Sequence, residues 1–242
     1  MKRGYRARVL RRRLLSWAVR TAIVLAGAIV GPIMKGASAN NRGGAEHIEL
    51  PPPTQDRRLT VEAAIRSRRS IREFGPGSIA LEEISQVLWA AQGITHRAGY
   101  RTAPSAGALY PLEISLIAGD IQSLAAGIYR YSPQAHALEA GAVGDRRTVL
   151  AEAALSQRWI ADAAAILVIA AVEERTTVKY GRRGVRYVHI ETGHVAQNVY
   201  LQAAALGLGT TIVGAFDDDD VKKVADLRRE ENPLCLLPIG RP

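Results

Sequence analysis

One cysteine, Cys235, is present in 242 residues. That excludes an intrachain disulfide framework and any cysteine-clustered metal or iron–sulfur centre. Aromatic residues are sparse at 5%. No Gly-x-Gly-x-x-Gly opening of a βαβ unit, no Walker lysine loop and no fixed-period repeat occurs, which sets aside a Rossmann nucleotide site and a solenoid. Acidic residues are missing from one stretch. Residues 1–36 hold nine bases (Lys2, Arg3, Arg6, Arg8, Arg11, Arg12, Arg13, Arg20 and Lys35) and no acid, so this head accounts for the whole net charge of +9. Residues 37–242 are balanced, and a nucleic-acid partner is not expected. With 48% hydrophobic and 23% charged residues, the remainder reads as one globular core.

From Thr21 to Met34 the chain has no charge; the basic cluster precedes this run and Ala37-Ser38-Ala39 follows it. That is the anatomy of an export signal cleaved after Ala39. The alternative is an uncleaved, tilted anchor over Leu14 to Met34 with Arg20 snorkelling, and this segment is the only expected contact with a membrane. Arg11-Arg12-Arg13-Leu14-Leu15 resembles the twin-arginine export pattern, with Leu where that pattern prefers Phe. Residues 40–58, polar and closing on Pro51-Pro52-Pro53, read as an extended linker, which puts the folded domain at 59–242.

Thr60 is placed to cap a helix running to Arg68, and Leu81, Ile84, Val87, Leu88 and Ala91 recur at helical spacing until Gly93. Glu113–Ala118, Ile166–Val172, Thr210–Val213 and Leu234–Ile239 are short apolar, β-branched runs bounded by Gly or Pro, hence strands. Between them Val188, Val195, Val199 and Leu206 mark one face of a long helix that Gly207 ends. Asp217 to Asp220 suit the start of a further helix, where acids complement the dipole. The class is α+β.

Three blocks could carry chemistry. Arg68, Ser70 and Arg72 alternate along an irregular segment, so two guanidinium forks and a hydroxyl can converge on a phosphate; equally, bases at a helix C-terminus are favoured by the dipole alone. Thr102 to Pro111 combines small residues, a glycine and two prolines, a fixed loop that a flat ring can approach closely, or an ordinary turn. Gly207 to Phe216 places glycines around Val213 and Gly214, whose amides could face a heteroaromatic nitrogen. His189 and His194 are five apart on the long helix and do not share a face as metal ligands would; no metal is expected. Trp89, Trp159 and Tyr200 default to core, and Cys235 to an inert buried thiol.

Arg-x-Ser-x-Arg, then Pro-Ser-Ala-Gly-Ala-Leu-Tyr-Pro-Leu-Glu, then Gly-His-Val-Ala-Gln-Asn-Val-Tyr-Leu-Gln-Ala-Ala-Ala-Leu-Gly-Leu-Gly, then Pro-Ile-Gly, in this order, resemble the FMN-dependent nitroreductase superfamily over about Leu59 to Pro242. The closest branch is the SagB/ThcOx-type dehydrogenases. The resemblance implies a nitroreductase-like α+β fold, a central, mostly antiparallel sheet flanked by helices. It also implies a homodimer with two FMN molecules at the subunit interface, each touched by both chains. On that basis Arg68, Ser70 and Arg72 hold the phosphate and ribityl end, Pro104, Ser105, Ala106 and Gly107 border the isoalloxazine, and Val213 and Gly214 face its N5 side. Arg241 is the remaining candidate to complete the phosphate site. Lys179 and Tyr180 match a catalytic Lys-Tyr pair of azoline-oxidising relatives. Adjacent residues act together only from a loop or an element end, which Gly181 and Gly184 permit. An ammonium beside a phenol favours its ionised form, so Tyr180 would take a proton from carbon while Lys179 steadies the charge.

The function implied is FMN-dependent dehydrogenation of a C–N or ring bond in a small or peptide-derived substrate, with O₂ or a quinone as the final acceptor. The competing readings are an NAD(P)H-dependent nitro or quinone reductase and an FMN-binding protein without turnover. Export argues against the reductase, because reduced nicotinamides are not supplied outside the cytoplasm.

Overall fold

The computed structural model describes residues 46–55 and 59–242. The expected export signal or anchor, residues 1–39, lies outside them, and so do residues 40–45 and 56–58 of the expected linker. Among the described residues no helix is long and apolar enough to cross a membrane.

Seven strands form one sheet: β1 (His47–Glu49), β2 (Leu112–Ala118), β3 (Gly127–Ser132), β4 (Ala137–Val143), β5 (Ala165–Ala171), β6 (Gly209–Thr210) and β7 (Asn232–Gly240). Their order is β1-β4-β3-β2-β5-β7-β6, and every pairing between them is antiparallel. Among the described residues six α-helices accompany it: α1 (Val61–Ser67), α2 (Leu81–Gln92), α3 (Arg147–Ala153), α4 (Glu174–Tyr180), α5 (Arg183–Ala205) and α6 (Asp218–Val224). The class is α+β as expected. The β5 strand is buried at all seven positions, because both sheet faces are covered. Leu167 and Ile169 join Ile84, Leu88, Val188 and Val195 of α2 and α5 on one side. Ile166 and Val168 join Leu150 of α3 and Val221 of α6 on the other. Period-two alternation thus feeds two separate cores.

Local signals set the helix ends. Thr60 caps α1 by accepting the Ala63 N–H at 3.2 Å. Asp217 caps α6 by accepting the Asp220 N–H at 2.9 Å, and Gly207, at φ 70°, follows the end of α5. Three expectations change. Residues 47–54 are no linker: His47–Glu49 extends the sheet beside β4, Leu50 is buried in the core, and the Pro51 carbonyl accepts from His136 Nε2 at 3.0 Å. The β3–β4 hairpin was not anticipated. The strand expected over Thr210–Val213 is interrupted: Thr210 pairs with Ile239 and Val213 with Leu236, so the same register sets Thr211 opposite Pro238, which has no N–H to give.

Candidate active site

The first block leaves α1 and lies along β6. Ile71 N–H donates to the Thr210 carbonyl at 3.0 Å, and a Cβ on Gly209 would come within 2.8 Å of Ile71 Cγ2, so Gly209 is required by this close approach. Tyr200 on α5 joins the block to the chain after β6. Its hydroxyl accepts the Ile212 N–H at 2.8 Å, donates to Thr211 Oγ1 at 3.2 Å and lies 3.2 Å from Ser70 Oγ. The Arg68 guanidinium stacks over its ring, 5.1 Å from the centroid. Burial pushes the Tyr200 phenol up, but its hydrogen bonds with Ser70, Thr211 and the Ile212 amide, with the Arg68 charge, outweigh it and hold the group below its ordinary value. Tyr200, expected only as core, is the polar post between the first and third blocks. Arg72 is exposed, and among the described residues neither Arg68 nor Arg72 has an acidic partner.

Arg241, expected to complete the phosphate site, is paired with Glu83. Its Nη1 and Nη2 donate to Glu83 Oε1 and Oε2 at 2.9 and 2.7 Å, a fork-to-fork pair that occupies the guanidinium edge a phosphate would need. Val213 is also withdrawn as an amide donor, since its N–H is taken by the Leu236 carbonyl at 2.9 Å. The Gly214 N–H has no partner among the described residues, and a Cβ there would meet nothing within 4 Å. Of that expected pair, Gly214 alone offers a free amide and open space.

The second block is a strained turn. Gly107, Ala108 and Tyr110 have φ of 65°, 54° and 46°; left-handed backbone at non-glycine residues costs roughly 1–3 kcal/mol each and gathers at functional sites. The Ser105 hydroxyl oxygen accepts the Tyr110 N–H at 2.9 Å, pinning the turn. Pro104 is exposed, and Ser105 and Ala106 are half-buried. Lys179 and Tyr180 end α4, the element end that joint action required. They reach this same turn: a Cβ on Gly107 would lie 2.7 Å from Tyr180 Oη and 3.0 Å from Lys179 Nζ. Lys179 Nζ lies 5.4 Å from the Tyr180 ring centroid, and Tyr187 of α5 meets that ring edge-on at 5.1 Å.

The α5 helix lies behind both regions. His194 Nδ1 is 3.3 Å from the Pro104 carbonyl, and Asn198 Nδ2 donates to the Ala90 and Thr102 carbonyls at 3.0 and 3.3 Å. Glu191, which the sequence reading passed over, is buried with one carboxylate oxygen unpartnered. Its acidic side chain on the buried face of an otherwise apolar helical stripe was the available signal. Cys235 is buried, which pushes its thiol up to about 12 and leaves it unreactive.

A family model described as the nitroreductase family matches residues 65–241. MJ1384 of Methanocaldococcus jannaschii, named as a nitroreductase, is 45% identical over 199 residues, 82% of this chain and 98% of its own length. McbC of Escherichia coli, named as the microcin B17-processing protein, is 32% identical over 146 residues, 58% of this chain and 54% of its own. A crystal structure from Ralstonia eutropha, also named as a nitroreductase, superposes with a TM-score of 0.71 at 28% identity, covering 81% of this chain and 89% of that one. The E. coli microcin synthetase complex McbBCD, with truncated pro-MccB17 bound, contains a chain of the same fold, with a TM-score of 0.63 at 23% identity, over 92% of this chain and 78% of that one. The matched span and the full-length relative agree with the site: the chain is an oxidoreductase of the nitroreductase family.

Proposed function

We propose that the protein is an FMN-dependent dehydrogenase of the SagB/ThcOx type, acting on a C–N or ring bond of a small or peptide-derived substrate. The observation that carries this reading is the meeting of Lys179 and Tyr180 with the Gly107 turn, because a proton acceptor and a ring-receiving surface in one place are what such a reaction needs. The residues present fit the cofactor. Arg68 and Arg72 stand without acidic partners among the described residues, as an anionic tail requires. Gly214 leaves room for a flat ring, with nothing within 4 Å of a Cβ built there, and its N–H is free to donate to it.

When bound, FMN supplies the two-electron acceptance. Arg68, Ser70 and Arg72 would hold its phosphate and ribityl end, with Tyr200 fixing Ser70 against the Thr211–Gly214 segment. Pro104, Ser105, Ala106 and Gly107 would support the ring. Tyr180 Oη, once ionised, would take the proton that leaves the substrate carbon and become neutral, and the Lys179 ammonium would stabilise the phenolate before the transfer or the anion developing on the substrate.

Geometry along α5 supports a homodimer that shares each cofactor. His194 faces the Pro104 turn and Tyr200 faces Ser70. Six helical residues correspond to a rise of about 9 Å and a rotation of roughly 240°. The ring half and the phosphate half of one chain are therefore offset along the helix and by about 120° around it, and a second copy would complete each site. The likeness to McbC favours a peptide-derived substrate. The likeness to MJ1384 keeps a second reading in play, reduction of nitro compounds or quinones by NAD(P)H. Tyr180→Phe separates the two. Loss of oxidation of a thiazoline peptide, with the yellow colour retained, is the expected result. Oxidation at the wild-type rate would remove Tyr180 from the mechanism. Wild-type protein that reduces a nitrofuran with NADH but leaves the thiazoline untouched would establish the second reading. Flavin that binds but turns over with neither donor would leave a cofactor-binding protein.

A further inference from the structure

We propose, on the reading that Lys179 and Tyr180 act at the Gly107 turn, that Arg175 is their positioning residue: its guanidinium fastens α4 to the Tyr110–Glu113 segment and so fixes where the two side chains fall. Arg175 Nη1 donates to the Tyr110 carbonyl at 3.1 Å, and its Nη2 pairs with Glu113 Oε1 at 2.6 Å. One contact is to the end of the strained turn and the other to β2. A helix of seven residues cannot hold its place through its own hydrogen bonds, so outside contacts decide where it lies. Its start is seated by main-chain bonds, Val172 N–H to the Pro111 carbonyl at 2.9 Å and Arg175 N–H to the Val172 carbonyl at 3.1 Å. α5 supports it from another side, with Gly184 so near that a Cβ there would come within 2.9 Å of Thr177 Cα. Among the described residues Arg175 is the one α4 side chain that hydrogen-bonds to another element.

Helix geometry links this tie to the reacting groups. Arg175 and Lys179 are four residues apart, about 6 Å along α4 and roughly 40° around it, so both project toward the turn. Arg175 takes the turn at Tyr110. Lys179 and Tyr180 take it at Gly107, where a Cβ would lie 3.0 Å from Lys179 Nζ and 2.7 Å from Tyr180 Oη. The far end of the tie is itself immobilised. The Tyr110 N–H is held by the Ser105 hydroxyl at 2.9 Å, its hydroxyl accepts the Arg101 N–H at 3.3 Å, and the Arg101 guanidinium lies 4.4 Å over its ring. A link from so fixed a residue passes the position of the turn on to α4. Glu113 has a second effect, because unpaired cations one helical turn apart repel, and its carboxylate offsets the Arg175 charge beside Lys179. The guanidinium fork serves two acceptors at once; a lysine, with a single nitrogen, keeps the charge but not this two-point hold.

The test joins a contact to a rate in the full chain. Without flavin, the nuclear Overhauser effect between the Tyr180 ring and the Gly107 Hα reports the placement, since Tyr180 Cε2 lies 3.5 Å from a Cβ built on Gly107. It should be present in the wild type and lost in both Arg175→Ala and Arg175→Lys. With FMN bound, kcat for oxidation of a thiazoline peptide should fall by about 10- to 100-fold in both variants, the cost of displacing a reacting group by about 1 Å, while KM stays within about twofold. A merely structural Arg175 would lower the melting point and leave the contact in place, and Arg175→Lys would rescue it. An Overhauser effect that is absent from the wild type, survives in Arg175→Ala or returns in Arg175→Lys therefore overturns the proposal. If Arg175→Ala does not fold, Arg175→Lys decides by the same criteria. A lost contact with unchanged kcat overturns it too, unless Tyr180→Phe is equally unimpaired, which places the failure in the dehydrogenase reading. A wild type that leaves the thiazoline untouched ends that reading, and the flavin-free contact still decides what Arg175 holds.

Discussion

Replacing Tyr200 by Phe removes one oxygen and tests how the site is assembled. The ring stays, and with it the platform under Arg68, 5.1 Å away, so any loss belongs to the hydroxyl. Three contacts go: the Ile212 N–H at 2.8 Å, Thr211 Oγ1 at 3.2 Å and Ser70 Oγ at 3.2 Å. Ile212 and Ser70 are exposed and can turn to water. Thr211 is 1% exposed and cannot. An orphaned buried hydroxyl costs about 1–3 kcal/mol, and each solvent-compensated bond about 0.5–1.5, which together give roughly 3 kcal/mol. For a domain of this size that is a melting point lower by about 6–12 °C. Differential scanning calorimetry reads the stability, and flavin fluorescence quenching reads FMN affinity, which should fall with it because Ser70 and the Thr211–Gly214 segment lose their common post. A variant melting within about 2 °C of wild type, less than the cost of one such orphan, and holding FMN equally well would refute the role given to Tyr200.

Arg241→Ala should weaken the fold and leave FMN affinity unchanged, since its guanidinium bonds are to Glu83. The expected cost is about 1 kcal/mol, the upper end for a partly exposed pair of good geometry, read by urea denaturation. A loss of FMN affinity without loss of stability would return Arg241 to the phosphate site. Glu191→Gln should flatten part of the pH dependence of stability. Because burial raises the Glu191 carboxyl in the native state, the folded protein holds that proton more tightly than the unfolded chain. The wild type therefore has this stability in full below the unfolded value of about 4.3 and loses it as pH rises through the raised native value. The variant should lack that decline, and melting curves over this window would show it; parallel curves for the two proteins would contradict it.

Much of the scaffold was legible because its signals are local. Thr60, Asp217 and Gly207 mark helix ends through bonds to neighbours a few residues away, and β5 reads as a run of seven buried residues. The β3–β4 hairpin was not legible, for β4 reads Ala-Leu-Glu-Ala-Gly-Ala-Val, a composition without strong β preference that holds its place through the strands beside it. Within the expected linker, residues 47–54 differ for a similar reason. Three prolines in a row suggest an extended tether, but only the fold reveals that the Pro51 carbonyl meets His136 and that Leu50 is buried in the core.

The site separates the two kinds of information most sharply at its glycines and at α5. Gly207 is explained by the helix it follows, at φ 70°. Gly209 is explained by Ile71, and Gly107, besides its φ of 65°, by Tyr180 and Lys179, because a Cβ at either would strike a side chain far away in sequence. The same holds for polar groups. Helical periodicity placed Tyr200 correctly inside the molecule, yet its hydroxyl finds Ser70 130 positions earlier. Glu191 sits three residues from His194 on the helix, and the two line one cleft with Ser105 of the loop that precedes β2. A sequence tells which residues carry hydrogen-bonding groups and which face will be buried. Where those groups find partners is decided by packing between distant segments, and in this fold those partnerships assemble the site.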